Sequence, residues 1–424
     1  MITPLLNPRA GVPEVITSES KFEEMIQQLL NGEGPIAIDA ERASGYRYSQ
    51  RAYLIQIFRK NGGLHLLDPI PFINSNLWQK FNQNFSKYEW VIHASTQDLP
   101  CLLELGLDPQ ILFDTELGAR IAGCPRVGLG PLSESLLELQ LAKEHSAVDW
   151  SIRPLKAEWL TYAALDVDVL LDIREKVEAL LIEKNKLDWA KQDFASILKN
   201  FKAKQVQPEK PDRWRRTSGM HKVRDRLTMT IIRDLWISRN QLAQELDLAP
   251  GRVLGDEAIV EIAIKRPTTP EEMAKVIGWR TKIDPPPLKR WLDVLNQSLQ
   301  TPLTEQVELR LPSQGLPPIK IWKDKNPLGY ARLTHARAKI AALSAEIEIP
   351  AENLITPELV RKMCWELPNV EQSEYERYVA NELNNFGARP WQISQVAPLI
   401  ASSLNETEPL VVPEPETVEE SEPA

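Results

Sequence analysis

The sequence predicts an α/β domain followed by two all-α modules, and three observations carry that prediction. Short apolar runs rich in β-branched and aromatic residues alternate with helical patterns as far as residue 198. Past residue 226 those strand signals stop, and helical patterns broken by Pro and Gly take over. Within that second part, LAQELDLAPGRVLGDEAI (242–259) aligns without gaps with LSAEIEIPAENLITPELV (343–360), apolar against apolar and Glu245 against Glu346. Two copies are too few for a solenoid, so the alignment points to a duplicated small helical domain.

Residues 1–19 form a lead-in, and the α/β domain occupies 20–198. Its strands are IAIDAE (36–41), AYLIQIF (52–58), LHLLD (64–68) and WVIHA (90–94). Helical runs lie at 18–30, with Ser18 placed to cap, and at 73–85, 96–106 and 156–184. Three closely spaced strands followed by helix–strand alternation imply a mixed sheet flanked by helices. A basic linker (199–226) leads to the first helical domain (227–300), a Pro-rich connector (301–329) and the second helical domain (330–404). The remaining 405–424 form a Pro/Glu-rich tail with almost nothing to bury, expected to be disordered.

The 424 residues are enough for about three domains. No run of about 18 apolar residues occurs, which argues against a spanning helix. The start lacks a basic region followed by an apolar stretch, so no secretory signal is expected. Cys101, Cys124 and Cys364 are too scattered for a disulfide framework or a CxxC zinc site, and a reducing cytoplasm is the expected compartment. The formal charge of −9 argues against a nucleic-acid partner only if it is spread evenly, and it is not. Residues 199–226 hold 10 basic and 3 acidic side chains, whereas the last 20 residues hold seven Glu and no base. The basic block, with Trp214 beside Arg213, Arg215 and Arg216, suits a strap along a phosphate backbone. Trp214, Trp236, Trp279, Trp291 and Trp322 are expected to be mostly core anchors.

Asp39 and Glu41 stand at i and i+2 of the first strand and so project from one face. Asp98 follows the strand WVIHA near the start of a helix. Tyr162 and Asp166, at i and i+4, share one helix face; Asp168 and Asp172 are worse placed to join them. Four converging carboxylates need cations to stay ionised together. An all-oxygen set suits Mg²⁺ or Mn²⁺ over Zn²⁺. Two such ions, roughly 3.5–4 Å apart, clamp the attacking and leaving oxygens of a phosphoryl displacement. Tyr162, with an ordinary pKa near 10, is better suited to orienting the attacking water than to acting as a base.

These segments, AIDAE, VIHASTQDL and YAALDVDVLL, resemble the three motifs of the DEDD exonuclease superfamily in its tyrosine-bearing branch. RYSQRAYLIQIF, LHLLDP, FDTELGARIAG (113–123) and DWSIRPLKAEWLTYAALDV narrow the resemblance to the bacterial ribonuclease D family, and the repeated units resemble its HRDC domains. The resemblance spans about 20–404. It implies a ribonuclease-H-like exonuclease domain followed by two HRDC-type domains. It also implies metal-dependent 3′→5′ exoribonuclease action that releases nucleoside 5′-monophosphates, in particular from tRNA precursors. Carried over, Asp39, Glu41 and Asp166 hold the ion on the nucleophile side. Asp39 bridges to the second ion with Asp98 helping through water, and Tyr162 positions the water.

The first motif departs from the usual DTEF of that family. Here it reads DAER, so Arg42 stands where an apolar side chain would wedge a base, and it suits a phosphate instead. The loop 42–51 interleaves Arg42, Arg47 and Arg51 with Tyr46 and Tyr48, a combination suited to phosphates and stacked bases. Arg42, Arg47, Tyr48 and Arg51 are therefore substrate candidates; Gln56, in LIQIF, is a further one, with a satisfied strand amide as the equal alternative, and His93 is read as structural. The expected partner is RNA, with a monomer and no membrane or obligate protein partner. A DNA-directed exonuclease and a catalytically dead RNA-binding scaffold are the rival readings.

Overall fold

A computed structural model describes residues 2–142, 147–204, 212–278, 281–311 and 315–410. The chain forms two compact units. The first comprises Met1–Glu116, Gly128–Lys176 and Ile197–Pro312, and the second Leu117–Val127, Val177–Ser196 and Ser313–Ala424.

The first unit is organised by a six-stranded sheet in the order β2-β5-β4-β3-β6-β7. Its centre is an antiparallel meander of β3 (Glu33–Arg42), β4 (Ala52–Lys60) and β5 (Gly63–Leu67). β6 (Glu89–Ile92) and β7 (Ile111–Asp114) continue it in parallel. Ile36, Ala37 and Ile38 are all fully buried, as expected for a central strand covered on both faces. The lead-in is structured: β1 (Thr3–Leu5) pairs with β8 (Leu139–Leu141), and β2 (Val15–Ile16) adds an edge beside β5. Two- and three-residue strands are too short to carry a period, so no sequence pattern announces them.

Among the described residues the helices of this stretch of chain are α1 (Glu19–Leu30), α2 (Leu77–Phe85), α3 (Leu99–Glu104), α4 (Thr115–Ile121), α5 (Leu129–Leu137), α6 (Ala157–Asp168), α7 (Leu170–Glu183) and α8 (Leu187–Lys204), with residues 117–121 of α4, 177–183 of α7 and 187–196 of α8 in the second unit. The run expected as one helix over 156–184 divides at Val169 into α6 and α7. Ser18 stands at the N-cap of α1, but its side chain accepts no backbone hydrogen bond there.

The first helical module contains α9 (Arg226–Glu245), α10 (Pro250–Val253), α11 (Asp256–Lys265), α12 (Pro270–Ile277) and α13 (Leu288–Leu299). Ile231, Leu235, Ile259, Ile262 and Trp291 share its core with Trp214. The expected strap is therefore part of a fold. Arg213–Arg216 and Met220–Lys222 form 3-10 turns that seat Trp214 in the module, 3% exposed.

The second module holds α14 (Trp322–Lys325), α15 (Pro327–Glu346), α16 (Ala351–Leu354), α17 (Pro357–Trp365), α18 (Tyr375–Asn385) and α19 (Pro390–Ser403). Its core includes Trp322, Leu354, Val360, Cys364, Leu383 and Val396. The sequence offset between the repeats is kept by α9 and α15, α10 and α16, and the starts of α11 and α17. It extends to backbone conformation: Asp247 and its counterpart Glu348 have φ of 46° and 52°. The last two helices of each module abandon the offset. Of the expected tail, Leu410 N donates to Thr334 Oγ1, and Glu406 lies 3.6 Å from His335 Nδ1. Residues 411–424 and Trp279 lie outside the described residues.

Candidate active site

Three elements of the first unit converge on a cavity of about 660 Å³. β3 delivers Asp39 and Glu41 to its wall, the β6–α3 junction delivers Asp98, and α6 delivers Tyr162 and Asp166. One carboxylate oxygen each from Asp39, Glu41 and Asp166 lie within 4.8 Å of one another. Asp98 occupies the N-cap of α3, yet its side chain caps nothing. Its carboxyl is instead hydrogen-bonded to that of Asp39, and Arg42 Nη2 stands 3.8 Å from Asp98 Oδ1. The Tyr162 hydroxyl is hydrogen-bonded to Asp166, as their i, i+4 spacing allows.

Burial raises the carboxyls of Asp39, Glu41 and Asp98 above the usual carboxylate range. The charges of Asp39, Asp166 and Asp98 push Glu41 further up, and Arg42 pulls all three back. Burial also raises the Tyr162 phenol, helped by the Asp166 and Glu41 charges, so it is a neutral hydroxyl at any ordinary pH. Several crowded carboxylates with a high cost of ionisation are a donor set that a hard divalent cation fits, because the cation removes the repulsion that keeps them protonated. His93 borders the cavity, but its Nδ1 is engaged with Thr115 Oγ1 at 2.9 Å, in keeping with a structural role.

The substrate candidates fare unevenly. Arg42 lines the cavity; Arg47, Tyr48, Arg51 and Gln56 do not. Arg47 Nε donates to Ser151 Oγ, and the Tyr48 hydroxyl accepts from Asn240 of the first helical module. Gln56 is buried within the sheet and its amide donates to Glu41 Oε1. Alternating charge and aromaticity in the loop does not say which of its side chains face the cavity. Tyr46, with Ser44 and Gly45, does face it. Sequence reasoning missed Gln97 and Glu134 on the cavity wall; Gln97 had a signal in its position directly before Asp98.

Residues 13–182 match the family model for a 3′-5′ exonuclease, residues 229–283 that for an HRDC domain, and residues 315–404 that for a 3′ to 5′ exonuclease C-terminal domain. The second module thus corresponds to a different model from the first. The ribonuclease D of Acidiphilium cryptum is 33% identical over 192 residues, 44% of this chain and 47% of that protein. The chain spans about half the length of the curated relatives it matches at this level of identity. A crystal structure of a protein from Bifidobacterium adolescentis is 34% identical and covers 95% of this chain and 100% of its own, with a TM-score of 0.84. Escherichia coli RNase D shares the fold at 21% identity and a TM-score of 0.63, over 92% of this chain and 98% of its own. Fold and matched models together define an α/β 3′-5′ exonuclease domain followed by a helical, HRDC-containing region. The exonuclease domain is that of the 3′-5′ exonucleases, and within that class the chain resembles bacterial ribonuclease D.

Proposed function

We propose that the chain is a metal-dependent exoribonuclease that hydrolyses RNA phosphodiesters from the 3′ end and releases nucleoside 5′-monophosphates. The observation that carries this reading is the cluster of Asp39, Glu41 and Asp166 oxygens in a cavity that also holds Asp98 and the Asp166-bonded Tyr162 hydroxyl. Two Mg²⁺ or Mn²⁺ ions would supply positive charge at the attacking and leaving oxygens. Asp39, Glu41 and Asp166 are the residues that would hold the nucleophile-side ion. Asp39 would also help to hold the second ion, and Asp98 would support it. Tyr162, kept protonated, donates or accepts a hydrogen bond and so orients the attacking water. Arg42 meets a phosphate of the 3′-terminal nucleotide.

The RNA substrates we propose are structured 3′ ends, tRNA precursors among them, met in the cytoplasm by a monomer. Among the described residues no helix is long and apolar enough to cross a membrane. The test is release of nucleoside 5′-monophosphates from uniformly labelled single-stranded RNA by the purified chain with Mg²⁺ or Mn²⁺. Asp39→Asn abolishes turnover while RNA binding survives, because it removes the shared ligand and little of the phosphate-binding surface. RNA left intact by the unaltered protein would overturn the enzyme reading. Matched DNA degraded as fast would overturn the substrate.

A further inference from the structure

The loop that leaves β3 directly after Asp39 and Glu41 forms part of the cavity wall through Ser44, Gly45 and Tyr46. Its base is a tight turn, with the amides of Tyr46 and Arg47 both donating to Ala43 O. The first helical module holds the loop at several points. Arg252 Nε donates to Gly45 O at 2.8 Å, and its guanidinium lies 4.0 Å from the Tyr46 ring centroid. The Ala249 amide donates to Tyr46 O at 3.0 Å, and the Ser49 amide donates to Asp247 Oδ1 at 2.8 Å. Tyr46 in turn reaches across to Ala147 O, on another part of the cavity wall.

Among the described residues no carboxylate pairs with Arg252. Its hydrogen bond to a main-chain carbonyl and its stacking on a tyrosine are what a planar guanidinium does best. Asp247 sits at a turn with positive φ that the repeat reproduces. Within the second unit the counterpart Glu348 pairs with Lys184, and Ile347 O accepts from Lys186. Both modules thus use the same turn to bind a segment that precedes them in the chain.

We propose that Arg252 is a positioning residue for cleavage: through Gly45 and Tyr46 the first helical module sets the shape of the nuclease cavity. This rests on the exonuclease reading above. It differs from a module that only grips RNA, because it makes the module matter for a substrate of any length.

The test pairs steady-state cleavage with hydrogen exchange, using the full chain and the variants Arg252→Ala, Arg252→Lys and Asp247→Ala. The substrates are a 5′-labelled RNA tetranucleotide and a structured RNA with a single-stranded 3′ end. Arg252→Ala is expected to lower kcat about tenfold on both, with KM little changed, since misplacing a reacting group costs rate before affinity. Arg252→Lys recovers part of the loss, because an ammonium still reaches Gly45 O. In Arg252→Ala and Asp247→Ala, exchange over residues 44–49 speeds up about tenfold while β3 and β4 keep their protection. Unchanged exchange in both variants overturns the proposal. So does an unchanged kcat on the tetranucleotide with a raised KM for the structured RNA alone. If the unaltered protein cleaves neither RNA, the exonuclease reading fails, and exchange over 44–49 alone decides whether the module holds the loop.

Discussion

The side-chain amide of Gln56 donates to Glu41 Oε1 at 3.5 Å from a position with no solvent exposure. Gln56 stands opposite Asp39 in the antiparallel β3–β4 register, so it shares a sheet face with both acids. It cannot touch substrate from there, but it can fix the direction of the Glu41 carboxylate.

Gln56→Leu should therefore lower divalent-cation affinity and kcat by about tenfold, the usual scale for loss of a hydrogen bond that orients a metal ligand. Thermal stability should move by no more than about 1 kcal/mol. The variant removes a donor to Glu41, and with it a buried Oε1 that has no partner among the described residues. Calorimetric Mn²⁺ titration beside a melting curve checks both; an unchanged affinity would show that Glu41 needs no such support.

The raised carboxyls dictate a pH dependence. In the metal-free protein Asp39, Glu41 and Asp98 stay protonated above the ordinary carboxylate range, where the unfolded chain has already released those protons. The folded state then binds more protons than the unfolded one, so stability falls as pH rises from about 4 through the raised values. In chelator, Tm should decline across this window, and added Mg²⁺ should restore more at pH 8 than at pH 5. Asp39→Asn should flatten the decline. A chelated protein that grows more stable over this window would contradict the burial of these acids.

Tyr162→Phe tests the hydroxyl alone, because the ring and its packing remain. A loss of about 100-fold in kcat with KM nearly unchanged is expected for a group that only orients the nucleophile. With its phenol pushed above the usual 10, Tyr162 should contribute no limb to the pH–rate profile near that value. A wild-type limb at pH 10 that Phe removes would make it an acid–base group instead.

Arg42 should act with opposite signs on metal and RNA. It is the cation that lowers the carboxyls of Asp39, Glu41 and Asp98, and it lies 3.8 Å from Asp98. Arg42→Ala removes a charge that repels incoming divalent ions, so half-activation should need less Mn²⁺. It also removes the proposed phosphate contact, so KM for RNA should rise. Metal-activation curves at saturating RNA separate the two effects, and a higher Mn²⁺ requirement would reverse the assigned role.

What the sequence disclosed was local. Asp39 with Glu41, and Tyr162 with Asp166, were legible because strand and helix periods fix which neighbours share a face. The repeat was legible because its first helices kept one spacing. The placement of Tyr48 and Gln56 was not. Each is settled by a partner outside its own segment, Asn240 for Tyr48 and Glu41 on the neighbouring strand for Gln56, and composition scores a solvated Arg/Tyr loop and a docked one alike.

Trp214, expected as a core anchor yet lying within the basic block, separates a strap from a folded element. A basic linker carrying an exposed tryptophan would lose RNA affinity and little stability on Trp214→Ala. A tryptophan seated in the helical core that also holds Trp291 should instead cost about 3–5 kcal/mol when truncated. The same turn still carries exposed charge in Arg216. Arg216→Glu should leave Tm unchanged, weaken RNA binding and reduce its salt dependence by about one to two phosphate contacts. Melting curves and salt-titrated binding on the two variants separate a folding element that presents charge from a strap that is only charge. If Trp214→Ala melts like the unaltered protein, the 3-10 turns are not part of the module.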